Sequence, residues 1–318
     1  MRDGHRVALA SVVSTWGSSP RPIGSQLVIN DKGEFAGSVS GGCIESYVIS
    51  EALDVIAEGE PQDLTYGVTD EQAREVRLSC GGKVRVFVEQ APEMDVLKKL
   101  SGPQSFARIV DIEKGTSAVV GEEIGEGSLE LSKDLLAETR RRLSCDESGV
   151  VHDGNREFFI SVFAQPRRLI ITGAVHIAQA LAPMAVAIGY DVTVIDQRPA
   201  FAQPERLGAV TILAERTETA MAGIELDART AVAVLAHDPL LDDPALVAAL
   251  KSPAFYIGCL GSRKTHAARL QRLGEKGFGE SDFKRLYSPV GLDIGGRQPS
   301  EIAVSIIAEI LAVSHGKR

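Results

Sequence analysis

The chain has 318 residues, of which 44% are apolar and 24% are charged, a composition typical of a folded protein with about two domains. Its formal net charge of −9 argues against nucleic acid or an anionic membrane surface as the main partner. No apolar run approaches the roughly 18 residues of a transmembrane helix, and the first residues lack the apolar segment of a signal peptide. The four cysteines lack the spacing of metal ligands. We therefore expect a cytoplasmic protein whose thiols stay free.

The first half of the chain carries strand and hairpin patterns, and we predict an α+β domain over residues 1–164. Turn residues at 31–33 and at 153–154 each separate two short extended runs, which predicts two hairpins. Between the hairpins, apolar residues recur at helical spacing from Ile44 to Ile56, with Tyr47 on the same face, and Gly59 ends the helix. Alternating valines over 83–89 predict a half-buried strand.

From residue 165 onward the pattern alternates between short apolar strands and helices, so we predict the α/β fold class overall. The expected strands lie within residues 167–173, 191–196, 210–213, 230–238 and 254–261. The segments between and after them, such as 176–189 and 298–316, have helical spacing. Repeated β-α-β units favour a parallel sheet that is covered on both faces. Residues 165–318 are therefore predicted to form a Rossmann-like domain.

A short turn follows the first of these strands, where a Rossmann fold binds a dinucleotide. Gly173 and His176 lie in the turn, and Asp196 ends the next strand. The second glycine of the usual motif lets the backbone approach a pyrophosphate, and Val175 replaces it here. We therefore do not expect NAD(P) as the ligand, although Asp196 could still hold a ribose or another hydroxyl-bearing group. A Rossmann scaffold without a dinucleotide is an equal alternative.

Two further strand ends carry polar residues. His237 and Asp238 follow one strand, and Gly261, Ser262 and Arg263 follow the next. Ligands of open α/β sheets bind at these carboxyl ends, and helix amides with a guanidinium can hold a phosphate. The alternative for the second group is that Ser262 only caps a helix. Counting the two histidines and Asp196 together favours a binding site.

The first half carries an unusual concentration of serines, glycines and cysteines in its loops. The residues concerned are Ser18, Ser19 and Arg21 in one loop, Ser40, Gly41, Gly42 and Cys43 in a second, and Cys80, Gly81 and Gly82 in a third. Such loops suit an oxyanion or phosphate. A thiol at a helix start is expected to be activated by amides and by the helix dipole. The alternative is a cysteine that is only a small buried apolar group.

Several longer phrases identify the sequence as a member of the XdhC/CoxI family, accessory proteins of xanthine dehydrogenase-type molybdenum hydroxylases. They include "GSSPRPIGSQLVI", "GSVSGGCIES" and "LSCGGKVRVFVE" in the first half, and "HDPLLDDPAL", "YIGCLGSRKTHAARLQRL" and "YSPVGLDIGGRQPSEIAVSIIAEI" in the second. The resemblance covers nearly the whole chain. In the Rossmann loop the family has Gly-Ala-Gly-His, so Val175 departs from the pattern.

The resemblance implies a chaperone that binds molybdenum cofactor (molybdopterin, or its cytosine dinucleotide form), assists its sulfuration and inserts it into an apo-hydroxylase. It implies partners, namely the apo-molybdenum hydroxylase and a cysteine desulfurase, with a molybdopterin cytidylyltransferase and a second copy of the chain as further candidates. The loop residues of the first half are then expected to handle the cofactor, with Cys43 or Cys80 near molybdenum. Gly173, His176, Asp196 and His237 are expected to line a nucleotide-like pocket. No catalytic residue is predicted.

Two other functions are compatible with the residues. One is an NAD(P)-dependent oxidoreductase, against which Val175 argues. The other is a docking scaffold that contacts the hydroxylase without holding cofactor. A maturation factor is favoured over a turnover enzyme because the residues show neither a G-x-S-x-G elbow nor a cysteine with an evident histidine partner.

Overall fold

A computed structural model describes residues 4–17, 21–67, 82–92, 96–98, 102, 104–121 and 124–318. The chain divides into two compact units, Met1–Gln165 and Pro166–Arg318. The first unit is built on antiparallel sheets and the second on a parallel one. Among the described residues, no helix is both long and apolar enough to cross a bilayer.

The first unit contains two five-stranded antiparallel sheets and two helices. Its elements are β1 Val7–Trp16, β2 Gln26–Asn30, β3 Phe35–Gly37, α1 Glu45–Glu58, β4 Gln62–Tyr66, β5 Lys83–Gln90, β6 Phe106–Asp111, β7 Ser117–Val120, β8 Ile124–Gly127, α2 Lys133–Cys145, β9 Gly149–Asp153 and β10 Arg156–Phe163. The strand orders are β3-β2-β1-β5-β4 and β8-β7-β6-β10-β9. The predicted hairpins β2–β3 and β9–β10 are both present.

The two sheets of this unit pack against each other, and each carries one helix on its outer face. A small cluster that includes Val13, Phe87 and Phe159 lies between the sheets. A buried ion pair crosses the same interface, with Arg108 Nη1 at 2.5 Å from Glu89 Oε1. Strand β5 has valines on the helix-facing side and Phe87 on the sheet-facing side, so it is buried on both faces rather than half-buried.

Helix α1 covers the outer face of the first sheet, as its apolar spacing predicts. Val48, Ala52, Val55 and Ile56 are buried there, and Gly59 ends the helix in the left-handed conformation. Tyr47 does not belong to this face, because it lies beside a core position and remains exposed. Its assignment from helical spacing was wrong, since an edge position of an amphipathic helix can lie on either side of the boundary with solvent.

The second unit has a six-stranded parallel sheet of order β13-β12-β11-β14-β15-β16. Its elements are β11 Arg168–Thr172, α3 His176–Ala187, β12 Asp191–Ile195, α4 Pro204–Leu207, β13 Thr211–Leu213, α5 Thr217–Ala222, β14 Thr230–Val234, α6 Pro239–Leu250, β15 Tyr256–Cys259, α7 Arg263–Glu275, α8 Glu280–Phe283, β16 Leu286–Tyr287 and α9 Pro299–Ser314. Separate apolar clusters fill the two faces of the sheet. This is the predicted Rossmann-like arrangement.

Candidate functional site

The loop over residues 38–45 of the first unit is folded around its own carboxylate. Glu45, at the start of α1, is only 7% exposed. Its Oε1 accepts hydrogen bonds from Ser38 Oγ at 2.7 Å and from the Ser40 amide at 3.0 Å. Its Oε2 accepts from the Gly42 amide at 2.9 Å and from the Ser40 hydroxyl. The carboxylate thus occupies the centre of a ring of donors, as a bound anion would.

The donors hold Glu45 in its charged form. Burial by itself raises the pKa of this carboxyl group, but the hydrogen bonds from Ser40 and Ser38 outweigh burial and bring the pKa to about 2. The loop is closed further by Ser40 Oγ, which accepts from the amides of Cys43 at 3.1 Å and Ile44 at 3.0 Å. The amides of the two residues that precede α1 are therefore occupied from within the loop.

This geometry corrects the expectation that the loop at Ser40, Gly41, Gly42 and Cys43 offers free amides to an oxyanion. The Gly41 amide donates to Ser38 Oγ at 2.9 Å, and the amides of Gly42 and Cys43 are taken as described above. The N–H of Cys43 is therefore already used within the loop and is not free to bind a phosphate. The serines and Gly42 instead donate hydrogen bonds to the carboxylate of Glu45, two residues beyond the cysteine.

The Cys43 side chain lies at the edge of the core. It is half-buried and packs against the apolar cluster beneath α1. The two glycines before it are exposed, and both have positive φ, 77° at Gly41 and 109° at Gly42. A Cβ built on Gly42 would meet nothing within 4 Å. Bare backbone with open space in front of it is therefore found directly beside the thiol.

For two of the other predicted residues of the first unit, the structure gives the degree of exposure. Arg21 is exposed. Gly82 is buried directly before β5. The remaining members of the predicted set lie outside the described residues, namely Ser18, Ser19, Cys80 and Gly81.

In the second unit, Gly173 is required by a close approach of two strand ends. Its φ is 94°, and a Cβ there would lie 2.7 Å from the Ala236 amide nitrogen. The turn is held by Asp196, which is 1% exposed and whose Oδ2 accepts from the Ala174 amide at 2.8 Å. Asp196 thus ties the end of β12 to the turn after β11.

Both carboxylate oxygens of Asp196 are already engaged. Oδ1 accepts from the amide and the Nε of Arg198, at 3.0 and 2.9 Å, and Oδ2 accepts from Arg198 Nη2 at 2.7 Å. Burial raises the pKa of this carboxyl group, but the bonds from Arg198 and Ala174 lower it on balance. With four donors on two oxygens, no acceptor position remains for a ribose hydroxyl. In this structure Arg198 and the Ala174 amide, rather than a sugar hydroxyl, occupy the acceptor positions of Asp196.

The two predicted histidines are exposed at neighbouring strand ends. His176 is the first residue of α3, and His237 follows β14 with a φ of 61°, which is uncommon for a residue with a side chain. Asp238 caps α6 by accepting from the Leu240 amide at 3.0 Å. Burial lowers the pKa of His237, and the nearby Arg269 guanidinium lowers it further.

The turn after β15 contains both a helix cap and an exposed cation, the two alternatives that its sequence leaves open. Ser262 caps α7, because its Oγ accepts from the Thr265 amide at 3.2 Å. Gly261 has a φ of 139°, in a region that favours glycine. Arg263 is exposed, and within the part of the chain that the structure describes it has no hydrogen bond or ion pair. The cap is real, and it leaves the Arg263 guanidinium available for a ligand.

A buried arginine at the same edge was missed by the sequence reasoning. Arg269 is 1% exposed and donates to the Leu260 carbonyl at 2.8 Å, and it lies 3.7 Å from Asp242. Burial is the main cause that raises the pKa of Asp242 to about 6, with Arg269 opposing it. Asp242 Oδ1, Arg269 Nε and His266 Nδ1 are buried without a hydrogen-bond partner among the described atoms. An arginine at an apolar helical position was the available signal.

A cavity of about 650 Å³ opens beside this cluster, beyond the ends of β15 and β16. Its lining includes Leu260, Arg263, Tyr287, Ile302 and Arg318, together with the loop over 288–296. Its size is that of a small-molecule site. Among all the residues that the structure describes, no group of three or more His, Cys, Asp or Glu side chains is arranged to hold a metal ion.

Two segments of the sequence match described protein families. A family model described as the XdhC and CoxI family matches residues 1–67, and one described as the XdhC Rossmann domain matches residues 169–310. A crystal structure described as a xanthine dehydrogenase from Bacillus halodurans has the same fold, with a TM-score of 0.75 and 23% identity over 99% of this chain and 93% of that chain.

Relatives with described functions are similar along almost the full length. The molybdenum cofactor insertion chaperone PaoD of Escherichia coli (strain K12) is 29% identical over 313 residues, which span 98% of this chain and 85% of PaoD. A protein of Bacillus subtilis (strain 168) described as a probable subunit of xanthine dehydrogenase is 27% identical over 327 residues, which span 98% of this chain and 94% of that protein. Because two XdhC family models match residues 1–67 and 169–310 and these relatives align along almost the whole chain, the chain belongs to the XdhC and CoxI family.

Proposed function

We propose that this protein is a molybdenum cofactor chaperone, which binds the cofactor, assists its sulfuration and inserts it into a hydroxylase of the xanthine dehydrogenase or aldehyde oxidase type. The observation that carries the proposal is the similarity to the insertion chaperone PaoD, which runs through both units. The cofactor is cargo in this proposal, so the protein needs binding groups and a release step rather than catalytic residues.

The first unit is proposed to meet the molybdenum end of the cargo through Cys43. A thiolate is a soft ligand suited to a metal that exchanges sulfur. The open space at Gly42 lets a large ligand approach the backbone beside the thiol. Because the neighbouring amides are taken by Glu45 and Ser40, any contact to the cargo here falls to the thiol rather than to the amides. Cys80 remains the second candidate for the same role.

The second unit is proposed to hold the phosphate of the cargo. Arg263 lines the cavity with a guanidinium that is exposed and without a partner among the described residues. A guanidinium is the preferred side chain for bidentate phosphate contacts. His176, His237 and Asp238 are exposed at neighbouring strand ends and are proposed to line the approach to it.

The proposed partners follow from the steps of the reaction. An apo-molybdenum hydroxylase receives the cargo, and a cysteine desulfurase supplies the sulfur. A molybdopterin cytidylyltransferase supplies the cargo where it is the cytosine dinucleotide form. We propose that the chain acts in the cytoplasm as a homodimer.

Purification from cells that make the cofactor tests the binding step. We expect pterin, assayed by fluorescence after oxidation, to be bound to the wild type at close to one equivalent and to be strongly reduced in Cys43→Ala. Cys145→Ala is the matched control, because Cys145 is an exposed thiol at the end of α2. No pterin on the wild type would contradict the proposal and favour a docking scaffold. Equal amounts of pterin on the wild type and on Cys43→Ala would contradict the role of Cys43 and leave the chaperone proposal standing.

A further inference from the structure

A fully buried carboxylate lies behind the cavity of the second unit. Glu309 is 0% exposed and stands on the face of α9 whose earlier residues, Ile302 and Ser305, line the cavity. Two of its contacts, Gly291 and Arg318, also belong to the lining. The carboxylate is therefore in direct contact with two residues of the cavity lining.

The two oxygens of Glu309 differ in their contacts. Oε2 accepts from Tyr256 Oη at 2.6 Å and from the Gly291 amide at 2.8 Å. Oε1 lies 2.5 Å from Arg318 Nη1, an ion-pair contact that lacks the alignment of a hydrogen bond. The ion pair with Arg318 balances the charge of Oε1 but supplies no aligned N–H, and a ligand with an aligned N–H donor would add the missing hydrogen bond.

Arg318 occupies the place that such a ligand would take. Its guanidinium lies over the ring of Tyr287, with 5.7 Å from the central carbon to the ring centroid. The Tyr287 ring is also stacked on the ring of Tyr256, at 4.8 Å between centroids. The Arg318 side chain is 44% exposed, so it can leave this position at a low cost in burial. The site thus presents an aromatic face and a carboxylate oxygen to a flat group with N–H donors.

We propose that this cavity binds the amidine edge of a pterin, with the ring on Tyr287 and an N–H donated to Glu309 Oε1, and that Arg318 stands in for the pterin when none is bound. The amidine edge of a pterin and a guanidinium are alike, since both are planar and present adjacent N–H donors. The inference rests on the proposed function, because the cargo named there carries a pterin at one end and a phosphate at the other.

The remaining lining agrees with a ligand of this shape. Leu260 and Ile302 supply apolar walls, and Arg263 supplies a cation for the phosphate. The volume of about 650 Å³ lies within the range of small-molecule sites. Oε2 of Glu309 already has two donors, so the ligand needs to supply a hydrogen bond only to Oε1.

Titration of the purified protein with unsubstituted pterin tests the inference without the full cofactor. Arg318→Ala is expected to bind pterin several-fold more tightly than the wild type, because the competing guanidinium is gone. Adding Glu309→Gln to Arg318→Ala is expected to weaken binding about tenfold, the effect of losing a hydrogen bond to a charged group. Lys317→Ala, which removes a neighbouring exposed cation, is the control and should match the wild type.

Three outcomes would overturn the inference. The first is an Arg318→Ala variant that binds pterin no more tightly than the wild type, and this result decides the matter even if thermal unfolding shows that Glu309→Gln does not fold. The second is a folded double variant with unchanged affinity. The third is guanosine monophosphate binding as tightly as pterin, with the same dependence on Glu309, which would assign the site to a purine.

A second arm separates this inference from the proposed function. If the wild type carries cofactor from cells and Glu309→Gln carries an equal amount, the pterin subsite is wrong and the chaperone proposal stands. If the wild type carries none, the chaperone proposal fails, whatever the titrations with free pterin give. Arg263→Ala should weaken the binding of the phosphate-bearing cofactor and leave the binding of unsubstituted pterin unchanged. Equal weakening of both would contradict the assigned orientation.

Discussion

The loop over residues 38–45 and the wall of the cavity beside residues 286–296 each contain a buried carboxylate, but the two carboxylates differ in how completely the chain supplies hydrogen-bond donors to them. In the loop, the Glu45 carboxylate is surrounded by five donors from the chain itself. In the cavity wall, Glu309 has one oxygen with two donors and one with only an unaligned ion pair. The first carboxylate organises its own loop, and the second is the one that we propose to meet a ligand. A glycine-rich, serine-rich loop at a helix start is therefore not by itself an anion site.

Removing the internal anion of the loop should have the largest effect on stability. Glu45→Gln replaces an acceptor oxygen by an amide group that faces donors, and we expect a loss of about 3 kcal/mol in the free energy of unfolding at pH 7, from a pKa near 2 against an ordinary value of 4.5. Because the folded-state pKa is lowered, this stability is present above about pH 4.5 and is lost as the pH falls towards 2. Urea unfolding at several pH values measures it.

The control for Glu45→Gln is Glu58→Gln, an exposed position at the other end of α1. We expect a change within about 0.5 kcal/mol there. Equal losses in the two variants would mean that the ring of donors around Glu45 contributes nothing specific.

The second unit should show the reverse pH dependence at Asp242. Its pKa is raised to about 6, chiefly by burial, with Arg269 opposing and Asp243 and Asp238 adding to the rise. A carboxyl group with a raised pKa destabilises the fold as the pH rises from about 4 to 6. The free energy of unfolding of Asp242→Asn, relative to that of the wild type, should therefore increase by up to about 3 kcal/mol between pH 4 and pH 8. A difference that is constant over this range would contradict the burial of a charged carboxylate.

A smaller effect is expected from the backbone of the loop. Gly42→Ala forces a side chain to adopt a φ of 109° although the space in front of it is open, and we expect a loss of about 1 kcal/mol. Gly274→Ala is the matched control, because Gly274 lies inside α7 without a positive φ and with nothing within 4 Å. It should stabilise the protein by about 0.5–1 kcal/mol. Thermal unfolding that gives the same sign for both would contradict the conformational argument.

The smallest expected effect is the response to NADH. Val175 stands where a pyrophosphate needs bare backbone, and Asp196 has no acceptor left for a ribose. We therefore expect no enhancement of NADH fluorescence at micromolar protein and ligand. Saturable enhancement would show that Arg198 can release Asp196, and it would revive the oxidoreductase alternative.

The fold could be predicted from the sequence because its signals are local. Alternating valines, helical spacing after Ile44 and the repeated β-α-β pattern each arise from neighbours in the chain. The contacts of the site are different, because they depend on which donors reach which acceptor across a turn or between strand ends. The same serines and glycines suit a ligand or Glu45, and only the folded chain distinguishes the two. Glu309 and Arg269 are charged residues at buried positions of their helices, and this placement is a signal of burial that does not identify the partner of either side chain.

Transfer of the cargo to a hydroxylase tests the central claim most directly. The purified protein, loaded with sulfurated cofactor, is mixed with an apo-hydroxylase of the xanthine dehydrogenase type, and hydroxylase activity is followed together with the pterin content of both proteins. We predict that activity rises as pterin moves from this protein to the hydroxylase, faster than with the same amount of free cofactor. A loaded protein that keeps its pterin while the hydroxylase stays inactive would contradict the chaperone function.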